Sequence, residues 1–426
     1  MRIAIIGSGI SGLVAAHQLH GRHEITLFEA NDYIGGHTNT VDVGVKGRKH
    51  CIDTGFIVFN EQTYPEFSRL LNTLGVTSRP TSMSFSVSCR DCGLEYNGTS
   101  LNGLFAQRTN LLRPGFHRML RDILRFNREA DEVLAHPDES MTVGEYVRQF
   151  RYSRRFAEHY LLPMGAAIWS CPVDKFERFP IRFIVEFYRN HGLLSLRNRP
   201  VWRVIEGGSR TYVEALTAPF RDRIRLQTPI GSVLRGEQRV LVREKNGKVH
   251  SFDEIIFACH SDQALGILGS DATEAEREIL SAFPYEPNTA VLHTDESLLP
   301  RRKRAWASWN YRLPAGQPSR ASVTYNMNIL QHIESRYTFC VTLNAEETVD
   351  PRKVLGCYRY SHPVYTTARA AAQRRQHELI RAKRTSFCGA YWGYGFHEDG
   401  VRSAQAVCRR FEAPEPVRTR EAAVHA

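Results

Sequence analysis

The chain has 426 residues, of which 42% are hydrophobic and 24% are charged, a composition typical of soluble globular proteins rather than of disordered or fibrous chains. No run reaches the roughly 18 apolar residues of a membrane-spanning helix, and the first apolar segment resembles a core strand rather than a signal peptide, so we expect a cytoplasmic protein. The formal net charge of +11 favours an anionic partner or surface, although no nucleic-acid-binding module is recognisable.

The first 36 residues predict a strand, a glycine turn, a helix and a second strand. Residues 3–6 and 25–28 are short apolar runs suited to buried parallel strands. Residues 13–19 repeat apolar side chains at helical spacing. The turn between the first strand and the helix has the GxGxxG pattern, with Gly7, Ser8, Gly9, Ile10, Ser11 and Gly12.

Each glycine of this motif has a physical role in binding a dinucleotide. Gly7 permits the tight turn, Gly9 lets backbone N–H groups approach a pyrophosphate, and Gly12 lets the helix pack closely on the sheet. The helix N-terminus supplies partial positive charge for the phosphates. Glu29 ends the second strand, where a carboxylate accepts from ribose hydroxyls and repels a 2′-phosphate. The stretch therefore predicts a dinucleotide site and leaves NAD and FAD equally open.

The nine cysteines are scattered along the chain, and an odd number without an export signal favours free thiols. Cys89 and Cys92 form a CxxC pair in a segment that predicts a hairpin turning near Asp91. No second pair stands at zinc-ligand spacing. We therefore interpret both thiols as incidental to the hairpin and expect no metal site.

The middle of the chain predicts helices and then strands. Residues 61–74 and 181–192 have helical spacing, residues 104–150 are mostly helical, and residues 160–170 are apolar. Such a region is more often plain core than a binding pocket. The strand-like segments that follow are residues 223–226, 231–234, 240–249, 253–259, 288–294, 322–327 and 337–343.

Two basic stretches stand out, at residues 301–304 and 374–384. The first is followed by Trp306 and Trp309, and basic residues beside tryptophan suit the headgroup level of an anionic bilayer. A solvated loop and a solvated helix face explain the two stretches equally well.

Residues 386–407 predict a strand, a glycine-rich turn and a final helix whose N-terminus is acidic. Together with the opening motif, with Glu29-Ala30, with Gly35-Gly36 and with the IDTGF segment at 52–56, this stretch resembles the FAD-dependent amine oxidase and phytoene desaturase superfamily. The resemblance implies FAD rather than NAD. It also implies an α/β fold with a Rossmann-like FAD-binding domain, interleaved with a substrate domain of mixed (α+β) sheet and helices.

The resemblance implies boundaries for these parts. The FAD-binding domain is discontinuous and comprises residues 1–75, 201–265 and 384–412. The substrate-binding domain comprises residues 76–200, with a helical insert that helps to line the substrate cavity, and residues 266–383. Residues 413–426 are expected to form a loose tail.

The resemblance further implies which residues contact FAD. Members commonly carry arginine or lysine where this chain has His37, and the strand residue matched by Val233 presents its backbone to the adenine. The glycine after the return strand lies near the pyrophosphate, and the final helix points at the flavin. Beyond the opening motif and Glu29, the implied set is Ala30, Gly36, His37, Gly55, Phe56, Val233, Gly389, Glu398, Asp399 and Gly400.

Candidate catalytic residues lie in the same C-terminal stretch. Trp392, Tyr394 and His397 are the side chains placed to shape the substrate face of the flavin, and a histidine there has acid–base capacity near neutral pH. A lone histidine is nevertheless more often structural. Amine oxidases of the superfamily typically carry a lysine on a strand matching residues 288–295, and this chain has none there.

The motifs YLLPMGAAIWS, HTD, RAWASWNYR and GYGFHEDG are most similar to bacterial NAD/FAD-binding, amine-oxidase-like proteins associated with cyclopropane fatty-acid synthase-type enzymes. This implies an FAD-dependent oxidoreductase that dehydrogenates or otherwise modifies an apolar substrate, such as an unsaturated or methylated fatty-acyl chain. A lipid-modifying partner enzyme and peripheral contact with the anionic inner membrane are further implications. The alternatives are a flavin amine oxidase and a non-redox protein, either a flavin-dependent isomerase or a flavin-bound scaffold.

Overall fold

A computed structural model describes residues 1–45, 47–135, 140–169, 171–195, 199–316, 321–366 and 368–412, so the predicted tail at 413–426 lies outside the described residues. The strands are β1 (Arg2–Ile6), β2 (Glu24–Phe28), β3 (Thr40–Val45), β4 (Arg48–Asp53), β5 (Phe59–Asn60), β6 (Ser78–Pro80), β7 (Phe85–Cys89), β8 (Leu94–Asn97), β9 (Trp202–Ile205), β10 (Ile224–Arg225), β11 (Ile230–Arg235), β12 (Val240–Glu244), β13 (Val249–Phe252), β14 (Glu254–Phe257), β15 (Tyr285–His293), β16 (Trp309–Leu313), β17 (Ser322–Asn326), β18 (Cys340–Leu343), β19 (Val354–Pro363), β20 (Ile380–Ala382) and β21 (Thr385–Phe387). The helices are α1 (Ile10–Leu19), α2 (Pro65–Thr73), α3 (Leu101–Leu104), α4 (Pro114–Ala135), α5 (Val143–Gln149), α6 (Arg154–Phe156), α7 (Leu162–Trp169), α8 (Val173–Phe176), α9 (Ile181–Asn190), α10 (Arg210–Thr217), α11 (Ser261–Leu268), α12 (Glu274–Ser281), α13 (Met327–Leu330), α14 (Arg369–Arg374) and α15 (His397–Glu412).

The half of the molecule that contains the glycine loop, and that is predicted to bind the dinucleotide, is called here the nucleotide-binding half; it is built on a sheet with the strand order β10-β2-β1-β14-β21-β20. Strands β10, β2, β1, β14 and β21 pair in parallel, and β20 joins β21 in the antiparallel sense. The inner strands β1 and β14 are apolar after their first residue, as expected for parallel strands that are covered on both faces. One face packs under α1, α10 and α15, and the other packs under α11, α12 and the antiparallel β11-β12-β13 sheet.

The second half is a mixed sheet with the order β19-β15-β18-β17-β16-β7-β8. Its neighbours are antiparallel except for the parallel pair β16 and β7, which brings together strands from distant parts of the chain. The helices α4 to α9 pack against this sheet in one apolar core. Between α6 and α7 the helical path contains a π-helical turn, Ala157–Leu161.

The predicted α/β class is confirmed. The sheet of the nucleotide-binding half is assembled from residues 2–28, 224–257 and 380–387, which agrees with a discontinuous arrangement, although the domain boundaries stay a prediction. The interpretation of residues 374–384 as a helix face is wrong. There α14 ends at Arg374, a 3₁₀ turn covers Gln376–Leu379, and β20 begins at Ile380 because its backbone pairs with β21.

The tryptophans beside the first basic stretch are not free surface anchors. Trp306 is half-buried, and its Nε1 donates a hydrogen bond to the carbonyl of Pro300 (2.8 Å). Trp309 belongs to β16 and lines an internal cavity. Within the described residues, no helix combines the length and the hydrophobicity that crossing a bilayer requires. Membrane contact therefore stays a prediction that rests on charge alone.

Candidate functional site

One cavity of about 970 Å³ joins the glycine loop after β1 to a set of aromatic side chains in the second half of the molecule. Its first part begins where β1, β2 and β14 end, which is the edge at which parallel sheets bind ligands. Its second part lies among side chains of the mixed sheet and of the helical region. We call these two parts the nucleotide part and the aromatic part.

The glycine loop is shaped as the motif predicts. The nitrogen of Gly7 donates to the carbonyl of Phe28 (2.8 Å), and φ at Gly7 is +105°, a conformation that side chains disfavour. A Cβ on Gly12 would lie 2.0 Å from the carbonyl oxygen of Gly7, so only glycine lets α1 start this close to the turn. A Cβ on Gly9 would meet nothing within 4 Å, because it would project into the cavity.

The start of α1 offers backbone donors to the cavity. Gly9, Ile10 and Ser11 line the cavity, and no side-chain cap is present at the start of this helix among the described residues. The first N–H groups of a helix have no intrahelical acceptor, and they carry the positive end of the helix dipole. Since Gly9 carries no Cβ, an anionic group can approach these donors closely.

Glu29 is a buried carboxylate held in place by the loop that it faces. It is 6% exposed and accepts from the backbone nitrogen of Ser8 (2.9 Å), the hydroxyl of Ser8 (2.6 Å) and the nitrogen of Asn31 (2.9 Å). A carboxylate has about four lone-pair positions, so these three bonds leave an acceptor position of Glu29, which lines the cavity, for a ligand. The geometry suits recognition of a hydroxyl group.

Three partly buried histidines line the cavity beside this loop. The ring of His37 lies 5.2 Å from that of His362 and 6.0 Å from that of His260. Burial lowers the pKa of His37 and of His260 to about 4, and that of His362 to about 3. All three rings are therefore neutral near pH 7. The Nε2 atom of His37 is buried without a hydrogen-bond partner among the described residues.

His397 opens α15 and also lines the cavity. Its ring stacks on Phe56 (3.5 Å between centroids), and its Nε2 lies 3.0 Å from the hydroxyl of Thr38 and 3.1 Å from that of Tyr212. Burial lowers the pKa of His397 well below its ordinary value, so the ring is neutral near pH 7. Its predicted catalytic role stays a prediction, and a role as general acid near neutral pH has no support in this environment.

Of the other two catalytic candidates, one lines the cavity and the other does not. Tyr394 lines the cavity and donates toward Glu186 at 3.5 Å. Trp392 does not line this cavity, because its ring packs against Phe283 and Tyr391 at the far side of the turn before α15. The placement of Trp392 on the substrate face is therefore corrected.

Most of the predicted cofactor contacts line the cavity, and a few do not. The side chain of Val233 lies in the core, and the residue is not among those that line the cavity; Ile230 and Gly231 of the same strand line it instead. The register shift between Ile230 and Ser232 moves the side chains relative to simple alternation. Apart from Gly12, Val233, Glu398, Asp399 and Gly400, the predicted contacts all line the cavity: Gly7, Ser8, Gly9, Ile10, Ser11, Glu29, Ala30, Gly36, His37, Gly55, Phe56 and Gly389.

The acidic residues of α15 are structural rather than cavity-lining. Glu398 accepts from the backbone nitrogens of Glu66 (3.3 Å) and Phe67 (3.0 Å), and so caps the start of α2. Asp399 accepts from the nitrogens of Tyr394 (2.9 Å) and Phe396 (3.0 Å) and holds the turn before α15. A Cβ on Gly400 would lie 2.6 Å from Ile10, which shows that Gly400 allows α15 to cross α1.

Among the described residues, no acidic side chain lines the aromatic part of the cavity. Glu29 lines the nucleotide part and is the one acidic residue in the described lining of the cavity. Two arginines that line the cavity, Arg199 and Arg359, are solvent-exposed and therefore mark its rim. Sequence reasoning missed Arg199 and the histidines at 260 and 362. His260 could have been predicted as a cavity residue, since it directly follows the end of a predicted strand. The aromatic part is lined by Tyr64, Phe85, Tyr96, Tyr160, Met164, Ile168, Trp169, Phe187, Leu193, Trp309, Tyr325, Leu343, Tyr365 and Phe396.

Comparison with known proteins places this geometry in a wider group. Residues 10–325 match the family model described as flavin containing amine oxidoreductase. No curated protein sequence matches the chain significantly.

Three solved structures are similar over nearly their whole length. Cyclohexylamine oxidase from Brevibacterium oxydans IH-35A is 16% identical with a TM-score of 0.68, over 97% of this chain and 99% of that one. A putative protoporphyrinogen oxidase from Exiguobacterium sp. 255-15 is 18% identical with a TM-score of 0.67, over 96% and 98%. A fatty acid isomerase from P. acnes that produces CLA is 15% identical with a TM-score of 0.68, over 97% and 99%. At such identities these likenesses establish the fold alone.

Proposed function

The chain belongs to the family of flavin-containing amine oxidoreductases and is an FAD-dependent oxidoreductase, and from that premise we propose that its substrate is an apolar acyl chain with an anionic end. The observation that carries this proposal is the aromatic part of the cavity, which is apolar and lacks acidic side chains among the described residues, with a cationic rim.

The residues of the nucleotide part fit FAD. The open space over Gly9 and the uncapped start of α1 suit the pyrophosphate, and Glu29 suits the ribose hydroxyls. The buried Nε2 of His37, which has no partner among the described residues, suits a hydrogen bond to the bound group. When bound, FAD supplies the hydride acceptor for the oxidation.

The aromatic part would bind and orient the substrate. Rings from the mixed sheet and from the helices, such as Phe85, Trp169 and Phe187, surround the space with apolar surface. An acyl chain buried there gains roughly 0.8 kcal/mol for each CH₂ group removed from water. The same walls exclude water from the reacting carbon.

The polar side chains beside the cavity hold its walls in position and do not ionise. The Nε2 of His397 is shared with the hydroxyls of Thr38 and Tyr212, which hold the ring against Phe56. Tyr360 hydrogen-bonds to Thr54 (2.8 Å). These contacts keep the walls ordered without placing a charge near the apolar substrate.

Arg199 would contact the anionic end of the substrate. It is exposed at the rim, and its Nε donates to the carbonyl of Ser195 (2.7 Å), which orients the guanidinium and leaves its terminal N–H groups for a ligand. Within the described residues Arg199 takes part in no salt bridge; its charge is therefore available to a carboxylate or a phosphate.

Amine oxidation is the second candidate, because the family description names it. Two observations disfavour it. A protonated amine would find no carboxylate in the described lining of the aromatic part. Strand β15 carries no lysine, and the one lysine in the described cavity lining, Lys245, lies beside Gly231 in the nucleotide part.

Anaerobic flavin bleaching tests the proposal. The FAD-loaded protein is mixed with linoleate, with putrescine and with cyclohexylamine, and the flavin absorbance is followed. We expect linoleate alone to bleach the flavin. Bleaching by an amine and not by linoleate would overturn the proposal. Conversion of linoleate to a positional isomer without net bleaching of the flavin, detected by gas chromatography, would show that the reaction is an isomerisation and not a dehydrogenation.

Arg199 provides the variant test. Since exposed ion pairs are worth up to about 1 kcal/mol, Arg199→Gln should raise KM for linoleate about two- to fivefold with kcat unchanged. Arg199→Lys should retain most of the affinity. Arg189→Gln is the matched control, because Arg189 is an exposed arginine of α9 that does not line the cavity. An unchanged KM in Arg199→Gln would remove Arg199 from the site.

A further inference from the structure

A cluster of three potential metal ligands lies outside the cavity. Cys89 ends β7, Cys92 lies in the turn to β8, and His159 lies in the π-helical turn Ala157–Leu161. One ligand atom from each residue lies within 4.8 Å of the others, and the Sγ of Cys92 is 3.4 Å from the Nε2 of His159. In the described part of the chain, no other such group of histidine, cysteine or acidic side chains occurs.

We propose that Cys89, Cys92 and His159 bind a Zn²⁺ ion. Zinc prefers thiolate and imidazole ligands in a tetrahedron, with Zn–S bonds near 2.3 Å and Zn–N bonds near 2.0 Å. This geometry places sulfur and nitrogen about 3.5 Å apart and two sulfurs about 3.8 Å apart. The observed separations need only small side-chain rotations to reach these values. Cys92 is solvent-exposed, so water can occupy the fourth position.

The backbone around the histidine is built to present it. Single π-helical turns within α-helices are uncommon and concentrate at functional sites, because they turn a side chain out of the helical register. The hydroxyl of Tyr96, on the same hairpin as the cysteines, donates to the carbonyl of His159 (2.6 Å). The hairpin therefore fixes the histidine from a second direction, whether or not metal is bound.

The ion would connect two walls of the cavity without entering it. None of the three ligands lines the cavity. Phe85 and Tyr96 of the hairpin and Tyr160 of the π-helical turn do line it. A zinc ion would thus cross-link the β7–β8 hairpin to the helices that bind the substrate, and would set the width between them.

Metal analysis tests this site without reference to activity. The reduced, FAD-loaded protein is dialysed against Zn²⁺ and then against buffer, and bound zinc is counted by mass spectrometry. We expect one zinc per chain. Replacement by Co²⁺ should give a thiolate-to-cobalt charge-transfer band and the visible bands of tetrahedral cobalt.

Four variants locate the ligands. Cys89→Ser, Cys92→Ser and His159→Gln should each weaken zinc binding at least a hundredfold and remove or shift the cobalt bands. Cys357→Ser is the matched control, because Cys357 is an exposed thiol of β19 outside the cluster. Retained flavin absorbance shows that each variant is folded, and Cys92→Ser, at an exposed position, is the mildest of them.

Two outcomes would overturn the proposal. The first is a wild-type protein that, after reduction, retains no zinc and gives no cobalt band. This outcome includes a protein in which Cys89 and Cys92 form a disulfide before reduction. The second is a cobalt spectrum in Cys92→Ser equal to that of the wild type. Neither outcome depends on which substrate the cavity accepts.

Discussion

Gly9 and Gly12 belong to one motif, yet the structure predicts opposite consequences for their replacement by alanine. At Gly12 the new Cβ would lie 2.0 Å from the carbonyl oxygen of Gly7 and 3.1 Å from the Cβ of Ala258. At Gly9 it would meet nothing within 4 Å, and the backbone there is extended (φ −66°, ψ 175°), which alanine adopts freely. Gly12→Ala should therefore damage the fold, and Gly9→Ala should damage only cofactor binding.

The magnitudes follow from these contacts. Relieving the overlap at Gly12 requires α1 to move away from the sheet, and overpacking of this kind costs about 1–3 kcal/mol or more. A methyl group on Gly9 would keep the pyrophosphate from the N–H donors of α1. Hydrogen bonds to charged groups are worth about 1.5–3 kcal/mol, so losing one of them weakens FAD binding about 10- to 100-fold.

Thermal unfolding of the apoprotein and FAD titration by fluorescence quenching measure the two effects separately. Gly12→Ala should lower the Tm of the apoprotein by several degrees. Gly9→Ala should leave that Tm unchanged or slightly higher while raising the Kd for FAD. Gly21→Ala is the control, since Gly21 is exposed and its Cβ would also meet nothing within 4 Å. Wild-type FAD affinity in Gly9→Ala would refute the placement of the pyrophosphate over this loop.

Two further predictions concern ionisation. Burial raises the pKa of Asp53 to about 6 although Thr40 and Ser209 donate to it, so the folded state holds this proton more tightly than the unfolded state. The protonated carboxyl of Asp53 therefore stabilises the folded state below about pH 4, and this contribution is lost as the pH rises through 6. The fall in Tm over this interval should be smaller in Asp53→Asn than in the wild type. An equal fall in Tm in the two proteins would contradict the raised pKa. Burial lowers the pKa of His397 well below its ordinary value, so the ring is neutral near pH 7 and above. The pH profile of kcat in this range should have the same shape in His397→Gln as in the wild type, and a lost ionisation step would contradict the neutral state.

The fate of single residues shows how far sequence reasoning reaches. The roles of Gly7 and Gly12 were predictable because they depend on neighbours within one strand–turn–helix unit, and the structure has the tight turn and the close packing there. Val233 was assigned by its match to a strand in relatives. Ile230 and Gly231 line the cavity instead, beside a register shift between Ile230 and Ser232 that no local pattern reveals.

Trp392 and Trp309 illustrate the same limit. Both are aromatic residues in plausible segments, but the side of the backbone that each presents depends on packing. Trp392 turns toward Phe283, and Trp309 enters the cavity through the pairing of β16 with β7. Aromatic character predicts burial and does not specify which cavity or core receives the ring.

Within this chain, short-range patterns were enough to predict the strand–turn–helix–strand unit at the start, its glycine loop and the acidic residue that follows β2, because strand, turn and helix propensities act over a few residues. Contacts between distant segments were decided only by the tertiary structure. Cys89 and Cys92 looked incidental because a third ligand was sought nearby in the sequence, whereas His159 reaches them from a helix 67 residues further on. Packing of that helix against the β7–β8 hairpin, rather than any spacing motif, brings the three side chains together.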